Sequence, residues 1–239
     1  MRRFYVDPLA ITGDRALLSE AESRHIASVL RLQPGDPVEL FDGSGSVYQG
    51  ELQNVSRDQV SVRLLSKQKE HLGTSQPLYL FQGLLKGKKM DFLAQKATEL
   101  GVHSFQPVIT RYRENRGNPE RQQERWQRIM LEACKQSKRS RPMDIHPLIH
   151  LDQIDVTQFS TRLFLWEKEN KKLIGACRIR EHGPICLLLG PEGGFHPDEV
   201  EWARENGFQS ASLGKRTLRA ETATLATIAI VQFLLGALS

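Results

Sequence analysis

The sequence contains few cysteines and no long apolar run. Its three cysteines, Cys134, Cys177 and Cys186, are widely spaced and form no C-x-x-C motif. This argues against a disulfide framework or a cysteine-based zinc site and fits a reducing compartment. The longest apolar stretch, 225–238, is shorter than the roughly 18 to 20 residues that a membrane-spanning helix needs. Because the start of the chain also lacks the apolar segment of a signal peptide, we expect a cytoplasmic protein without a membrane partner.

The overall composition excludes a disordered or fibrous chain. Hydrophobic residues make up 39% of the 239 residues and charged residues 26%, which is typical of a globular protein. The length suffices for one large domain, or for a small domain and a medium one with separate cores.

The positive charge is concentrated in one part of the sequence. The formal net charge is +5. Residues 86–141 hold fourteen basic and six acidic side chains, a net charge of +8, whereas residues 1–85 sum to −1 and residues 142–239 to −2. A block of this kind is typical of a protein that binds a polyanion, because neutralising each phosphate releases condensed counterions. Solvated helix faces explain the same charge equally well.

The first seventy residues predict short strands and one helix. The strands are expected at 3–6, 38–42, 47–55 and 59–65. Ser19 is a candidate N-cap with Glu22 at the capping-box spacing, and Ile26, Val29 and Leu30 recur on one face of the following helix. The polar stretch 67–76 separates this region from the rest of the chain. We therefore predict a small β-barrel or sheet domain over residues 1–72.

From residue 73 onwards the sequence alternates between strands and helices. The predicted strands are 78–85, 104–110, 163–166, 185–189 and 211–213, and the predicted helices are 90–100, 120–136, 198–205 and 220–235. Such alternation predicts a mostly parallel α/β sheet with helices on both faces, over residues 73–239.

Several familiar motifs are excluded by their spacing. Gly83 and Gly87 enclose three residues where a P-loop needs four, and Lys89 stands where a Ser or Thr should bind magnesium. Phosphate binding by these lysines stays open. His146 and His150 are four residues apart, but Pro147 disfavours a helix between them and no carboxylate motif accompanies them, so no metal site is expected. Hydrolase and dinucleotide-binding motifs have no match after a predicted strand.

Two glycine-containing loops near the C-terminus each follow a predicted strand. The first, 187–195 (LLLGPEGGF), lets backbone groups approach a ligand closely at the carboxyl end of its strand. The second, 213–224 (LGKRTLRAETAT), leads through a basic loop into a helix. Each feature has a simple structural explanation when taken singly. The first loop can be a tight turn, Arg219 a surface cation, and Glu221 a residue favoured by the helix dipole. Their pairing favours a ligand site.

These two loops resemble the motifs of RsmE-family methyltransferases of the SPOUT class. The patterns are L-L-x-G-P-E-G-G-F and L-G-x-R-x-L-R-x-E-T-A. Further matches lie at 25–31 (HIASVLR), 86–91 (KGKKMD), 96–102 (KATELGV) and 132–137 (EACKQS). The resemblance covers nearly the whole chain, but the stretch 148–181 matches no motif. The resemblance implies a C-terminal SPOUT α/β domain with a trefoil knot, an exception to the rule that chains avoid threading. It also implies a preceding PUA-like β-barrel domain that helps to bind RNA.

The resemblance further implies an activity and its partners. The family methylates N3 of one uridine (the uracil-1498 type) of 16S ribosomal RNA, with S-adenosyl-L-methionine as cofactor. The expected substrate is 16S ribosomal RNA or the small ribosomal subunit, and the expected assembly is a homodimer. Two alternatives stay open: another SPOUT enzyme, such as a tRNA ribose 2′-O-methyltransferase, and a non-catalytic RNA-binding protein of the same fold.

Candidate site residues come from the matched motifs, from the basic block 86–141 and from the small domain. Arg219 is expected to stabilise negative charge on the uracil or to hold a phosphate, and Glu221 to orient Arg219 or to accept the proton. The two loops are expected to hold the cofactor through Leu189, Gly190, Glu192, Gly194, Leu213, Gly214 and Leu218. The candidate RNA-binding residues are Arg24, His25, Arg31, Lys86, Lys88, Lys89, Arg111, Lys138, Arg139 and Arg141.

Overall fold

The chain divides into two compact units. The computed structural model describes residues 1–69, 76–112, 117–169, 171–180 and 182–238. The first unit comprises Met1–Leu72 with Leu131–Pro142, and the second comprises Gly73–Met130 with Met143–Ser239. The basic block 86–141 is therefore shared between the units. Most of the predicted boundary stretch 67–76 lies outside the described residues, as do Arg113 and Arg116 of the block. The domain limits 1–72 and 73–239 stay a prediction.

Two kinds of feature were not found in the described part of the chain. None of its helices is both long and apolar enough to cross a lipid bilayer. Nor do its His, Cys, Asp and Glu side chains form a group of three or more that could hold a metal ion.

The first unit is built on a six-stranded sheet. Its order is β1-β4-β5-β6-β3-β2, and all neighbours are antiparallel except β1 and β4. Alternate side chains of these strands, among them Phe4, Val38, Leu40 and Leu52, enclose one apolar core. The strands are β1 (Arg2–Tyr5), β2 (Ile11–Thr12), β3 (Arg15–Leu17), β4 (Pro37–Phe41), β5 (Ser46–Val55) and β6 (Val60–Lys69).

One helical segment interrupts the strands of this unit. Helix α1 (Glu20–Arg24) begins as predicted, since Ser19 Oγ accepts a hydrogen bond from the Glu22 backbone N–H at 3.3 Å. It continues as a π-helical turn, His25–Leu30. Ile26 is buried, but Val29 is 67% exposed. The predicted apolar face is therefore wrong at Val29, because the wider π-helical turn changes which residues share a face.

The second unit contains a seven-stranded sheet in which every pairing is parallel. Its order is β10-β8-β7-β12-β11-β13, and β9 also pairs with β8. This confirms the predicted α/β class. Strand β12 has the predicted limits, and all five of its side chains are buried, as expected for a central parallel strand. The strands are β7 (Leu78–Gly83), β8 (Ser104–Ile109), β9 (Asp144–Ile145), β10 (Ile149–His150), β11 (Thr161–Leu165), β12 (Ile185–Leu189) and β13 (Gln209–Ala211).

Helices lie on both faces of this sheet. Successive side chains of a strand point to opposite faces. Phe81 packs in one core cluster with Val200, whereas the next residue, Gln82, accepts a hydrogen bond from Thr224 on the other face. Helix α3 runs through residue 130, where the two units divide. The helices are α2 (Lys89–Glu99), α3 (Pro119–Ser137), α4 (Pro197–Glu205) and α5 (Ala220–Leu234).

The chain returns along the carboxyl edge of the sheet between β13 and α5. Strand β13 ends at Ala211 beside β11, two residues earlier than predicted. Helix α5 nevertheless meets the far side of the unit, where Gln232 Nε2 donates a hydrogen bond to the carbonyl oxygen of Leu100 at 2.8 Å. Residues 212–219 therefore run past the ends of β11 and β12, which brings the two glycine-containing loops together. The trefoil knot stays a prediction of the resemblance.

Candidate active site

A cavity of about 260 Å³ opens at the carboxyl edge of the parallel sheet. The ends of three neighbouring strands contribute Leu165, Leu189 and Ala211, and the two predicted loops form the walls. This edge is where α/β sheets bind ligands. All seven predicted cofactor residues line the cavity. Its lining consists of residues 165–167, 189–195, 211–218, 220 and 223.

The first loop is packed so closely that its glycines leave no room for side chains. A Cβ atom at Gly190 would lie 2.8 Å from the Phe195 ring, and one at Gly194 would lie 2.8 Å from Glu167 Oε1. Gly194 also has a φ of +71°, and its N–H donates a hydrogen bond to the Pro191 carbonyl oxygen at 3.0 Å. The backbone of this loop is therefore held in one shape, close to the cavity.

The second loop, in contrast, leaves open space. A Cβ atom at Gly214, where φ is +111°, would meet no heavy atom within 4 Å. Leu218, which also lines the cavity, is 38% exposed although it is apolar. Space beside a glycine and an exposed apolar side chain within a concave site suit a ligand with apolar surface.

Gln82 links the two loops from within the sheet. It is fully buried at the end of β7. Its Nε2 donates to the carbonyl oxygens of Gly190 at 3.1 Å and Gly83 at 3.0 Å, and its Oε1 accepts from Thr224 Oγ1 at 2.7 Å. A buried polar side chain with its hydrogen bonds satisfied fixes the geometry of its partners. The sequence analysis missed Gln82, and the available signal was one amide in the buried strand LYLFQG.

The ammonium group of Lys89 lies between two carboxylates at the cavity. Its Nζ is 3.1 Å from Glu192 Oε1 and 3.1 Å from Glu221 Oε2. Hydrogen bonds to Glu221 and Glu192 raise the pKa of Lys89. The Lys86 backbone N–H also donates to Glu192 Oε1, at 3.0 Å. Lys89, predicted to contact RNA, thus has two carboxylate partners beside the first and second loops.

Both of these carboxylates are ionised at neutral pH. A hydrogen bond from its own backbone N–H, together with Lys89 and Arg219, outweighs burial and lowers the pKa of Glu221. Burial raises the pKa of Glu192, but the backbone N–H groups of Lys86 and Glu192 and the ammonium of Lys89 outweigh it and lower that pKa below its ordinary value. The cavity therefore has carboxylate charge at Glu192, and the cations Lys215 and Arg216 of the second loop line it as well.

Arg219 stands at the start of α5, between two residues that line the cavity. It is the N-cap residue of the helix, but its side chain does not cap the backbone. The side chain is exposed and makes no hydrogen bond to any residue that the structure describes. Its guanidinium group is therefore available to an anionic or polar ligand at the cavity.

The predicted RNA-binding residues are distributed over both units. Arg24 forms an ion pair with Glu20, and Arg111 forms one with Asp198 at 3.1 Å. Exposed pairs of this kind are weak, so both guanidinium groups can exchange a carboxylate for a phosphate. The first unit holds Arg24, His25, Arg31, Lys138, Arg139 and Arg141, and the second holds Lys86, Lys88, Lys89 and Arg111.

Three residues of the cavity come from the stretch 148–181, to which the sequence analysis assigned no role. Leu165 is the last residue of β11, and Trp166 and Glu167 follow it. Strand β11 lies between β12 and β13 in the sheet, so its carboxyl end must border the same cavity. An apolar run without a glycine motif does not reveal which strands are its neighbours, and the sequence therefore gave no signal for these residues.

Two family models match this chain. The model described as an RNA methyltransferase domain matches residues 73–232. The model described as an RNA methyltransferase PUA domain matches residues 18–65. The fold and the site are therefore those of an RNA methyltransferase, and the predicted enzyme class is confirmed.

Individual relatives define the family more narrowly. Ribosomal RNA small subunit methyltransferase E of Synechocystis is 34% identical over 238 residues, which cover 98% of this chain and 78% of that protein. The enzyme of the same name from Neisseria gonorrhoeae, solved with bound S-adenosyl methionine, is 35% identical with a TM-score of 0.87 over 98% of both chains. A Legionella pneumophila protein solved with the same cofactor has 28% identity and a TM-score of 0.90 over 97% of both chains. The chain belongs to the ribosomal RNA small subunit methyltransferase E (RsmE) family, as the motifs predicted.

Proposed function

We propose that the protein transfers a methyl group from S-adenosyl-L-methionine to N3 of one uridine of 16S ribosomal RNA, the uracil-1498 type. The cavity formed by the two motif loops, with Arg219 and Glu221 beside it, carries this proposal in a chain of the RsmE family. The substrate would be 16S ribosomal RNA or the small ribosomal subunit, which places the protein in the cytoplasm, and the working assembly would be a homodimer.

The residues of the cavity fit this cofactor. Gly214 leaves open space, Leu218 offers an apolar contact, and the backbone of both loops offers polar groups. When bound, the cofactor supplies a methyl group on a positively charged sulfur. The ionised carboxylates of Glu192 and Glu221 would stabilise a positive charge close to them. Holding the donor methyl group in line with uracil N3 should contribute much of the rate enhancement.

Arg219 is the residue that we propose to act on the uracil. N3 carries a weakly acidic proton, which must leave as the nitrogen forms its bond to the methyl carbon. Negative charge then develops on the uracil ring and its carbonyl oxygens. An exposed guanidinium that makes no hydrogen bond to a described residue can bind these oxygens with two donors. The N-terminus of α5 adds a favourable dipole at the same place.

Glu221 is proposed to position Arg219. Its lowered pKa makes its carboxylate a weak base, poorly matched to removing a proton from N3. Its ion pair with Lys89 holds it next to Arg219. We therefore assign to Glu221 the orientation of the guanidinium group, and the N3 proton leaves to water.

The target uridine must reach the cavity from structured RNA. We expect the base to be turned out of its stack, at a cost of a few kcal/mol. The basic side chains of both units would hold the flanking phosphates, and the RNA methyltransferase PUA domain at residues 18–65 supports an RNA-binding role for the first unit. This domain also favours the proposal over a tRNA ribose 2′-O-methyltransferase.

Labelled methyl transfer tests the proposal directly. The protein is incubated with labelled cofactor and either free 16S RNA or small subunits that lack the modification, and the RNA is digested to nucleosides. We expect 3-methyluridine from at least one substrate. A ribose-methylated product without 3-methyluridine would contradict the assigned position. Cofactor binding without transfer to either substrate would identify the non-catalytic alternative.

A further inference from the structure

A second cleft lies at the opposite, amino edge of the parallel sheet. It has a volume of about 1160 Å³ and is bordered by residues at the start of β11 and β13. Its lining includes Arg162, Arg178, Arg180 and His182. Neither the RsmE motifs nor the basic block 86–141 includes this cleft.

The cleft is basic although its part of the sequence is not. Residues 142–239 carry a net charge of −2. Three arginines and a histidine nevertheless line the cleft. Among the described residues, no Asp or Glu lines it. Arg178 and Arg180 are exposed, and neither forms an ion pair within the described chain. The folded chain thus concentrates positive charge that the sequence average conceals.

Hydrogen bonds hold the backbone of this cleft in place. Gln209 Nε2 donates to the Arg178 carbonyl oxygen at 2.9 Å, and the Arg178 N–H donates to Gln209 Oε1 at 3.2 Å. The Arg180 N–H donates to Thr161 Oγ1 at 3.0 Å, and Gln76 Nε2 donates to the Arg180 carbonyl oxygen at 3.0 Å. The backbone of both arginines is therefore fixed to the sheet while their guanidinium groups stay exposed.

Arg162 gives an independent indication of a missing acceptor. Its Nη1 donates to the Asn206 carbonyl oxygen at 2.9 Å. Its Nε is buried, and no group within the described chain accepts a hydrogen bond from it. A buried donor without a partner is costly and rare. An anion in the cleft would supply acceptor atoms close to this guanidinium group.

We infer that this cleft binds phosphate groups of the RNA that flank the target nucleotide. Arginine is the side chain best suited to bind phosphate with two donors. The five residues of β11 separate the two edges of the sheet by about 13 Å, a distance over which an RNA helix presents several phosphates. The inference rests on the proposed function, and it extends the RNA-binding surface to the edge of the sheet opposite the cavity.

The test compares two double variants that lose the same charge. Arg178→Gln with Arg180→Gln removes two cations of the cleft, and Lys168→Gln with Lys171→Gln removes two exposed cations of the same unit that do not line it. Binding to 16S RNA is measured as a function of salt. Each lost phosphate contact should reduce the slope of log K against log salt by about 0.7 to 0.9. We expect the slope to fall by about 1.4 to 1.8 in the cleft variant only. The affinity for the cofactor should not change.

Three outcomes would overturn the inference. Equal slopes for the two double variants would show that only the overall charge matters. A change in sedimentation of the cleft variant alone would identify a contact between copies of the chain. Calorimetry could also show that the wild type binds pyrophosphate and the cleft variant does not. If the two double variants then have equal salt slopes for RNA, the cleft binds a small phosphate ligand instead of RNA. If the wild-type protein binds RNA but forms no 3-methyluridine, the proposed function is contradicted. The salt slopes of the two double variants can still be compared in that case.

Discussion

Lys89 Nζ lies 3.1 Å from Glu221 Oε2 and equally close to Glu192 Oε1, so one ammonium group connects the start of α2 to both loops of the cavity. The sequence contains these three residues in three separate motifs. Their meeting at one point gives the proposed site its distribution of charge and leads to the first prediction.

Lys89→Gln should lower kcat by about 10- to 100-fold, because Glu221 loses the partner that holds it beside Arg219. Without the ammonium group, the pKa of Glu221 and that of Glu192 should rise towards their ordinary values. Both carboxylates would then be protonated at a higher pH than in the wild type, so the acidic limb of the pH–rate profile should move to higher pH. Lys88→Gln removes the same charge from an exposed neighbour and should raise KM for RNA while kcat stays constant.

Arg219→Ala should lower kcat by about 10²- to 10³-fold while cofactor affinity stays close to that of the wild type. The expected reason is the loss of donors to the charged uracil. Arg219→Lys keeps the charge without the planar pair of donors and should give an intermediate rate. Single-turnover methylation and calorimetric cofactor binding measure the two effects. Near-wild-type methylation by a folded Arg219→Ala protein would show the catalytic assignment to be wrong.

Leu218→Ala should weaken cofactor binding without a comparable loss of stability. Covering a partly exposed leucine with a ligand is worth about 1 to 2 kcal/mol, which corresponds to roughly a 5- to 30-fold rise in Kd. Leu173→Ala is the matched control, since Leu173 is 57% exposed in the same unit and does not line the cavity. Equal Kd values for the two variants would remove Leu218 from the cofactor site.

Gln82→Leu should lower the free energy of unfolding by about 2 to 3 kcal/mol, because buried partners lose their hydrogen bonds. It should also weaken cofactor binding, since the Gly190 loop is no longer held. Thr224→Val removes one of the same bonds. Denaturant unfolding of both single variants and the double variant should show non-additive effects. Strict additivity would mean that the two side chains act independently.

Replacing Lys138, Arg139 and Arg141 together with Gln should weaken RNA binding and reduce its salt dependence. Cofactor affinity should not change, because these residues belong to the unit that does not contain the cavity. Filter binding over a range of salt concentrations measures the slope. An unchanged slope would remove the three residues from the RNA interface.

Local patterns in the sequence predicted local structure well. The apolar run of β12 has the limits of the strand because a buried parallel strand needs a continuous apolar sequence. The N-cap at Ser19 follows from a hydrogen bond between residues three apart. In contrast, β9 and β10 contain two residues each, which is too short for any periodicity to predict them.

The site was predicted only as far as its motifs extended. The seven residues predicted to bind the cofactor lie on two recognisable loops, and all of them line the cavity. Gln82 and Trp166 carry no motif, because their roles depend on which strands become neighbours in the sheet. The charge pattern of the sequence suggested an RNA contact for Lys89. The ion pairs of Lys89 with Glu192 and Glu221 could not be predicted, because these carboxylates are distant in the sequence.

The hydrogen bond between Thr224 and Gln82 joins residues 142 positions apart, and the one between Lys86 and Glu192 spans 106 positions. Contacts of such separation form only after a large loss of chain entropy, so this cavity should be among the last regions to assemble during folding. A ligand that binds only the finished cavity shifts the folding equilibrium towards the native chain. The supply of methyl donor would then govern the amount of native protein as well as the rate of its reaction.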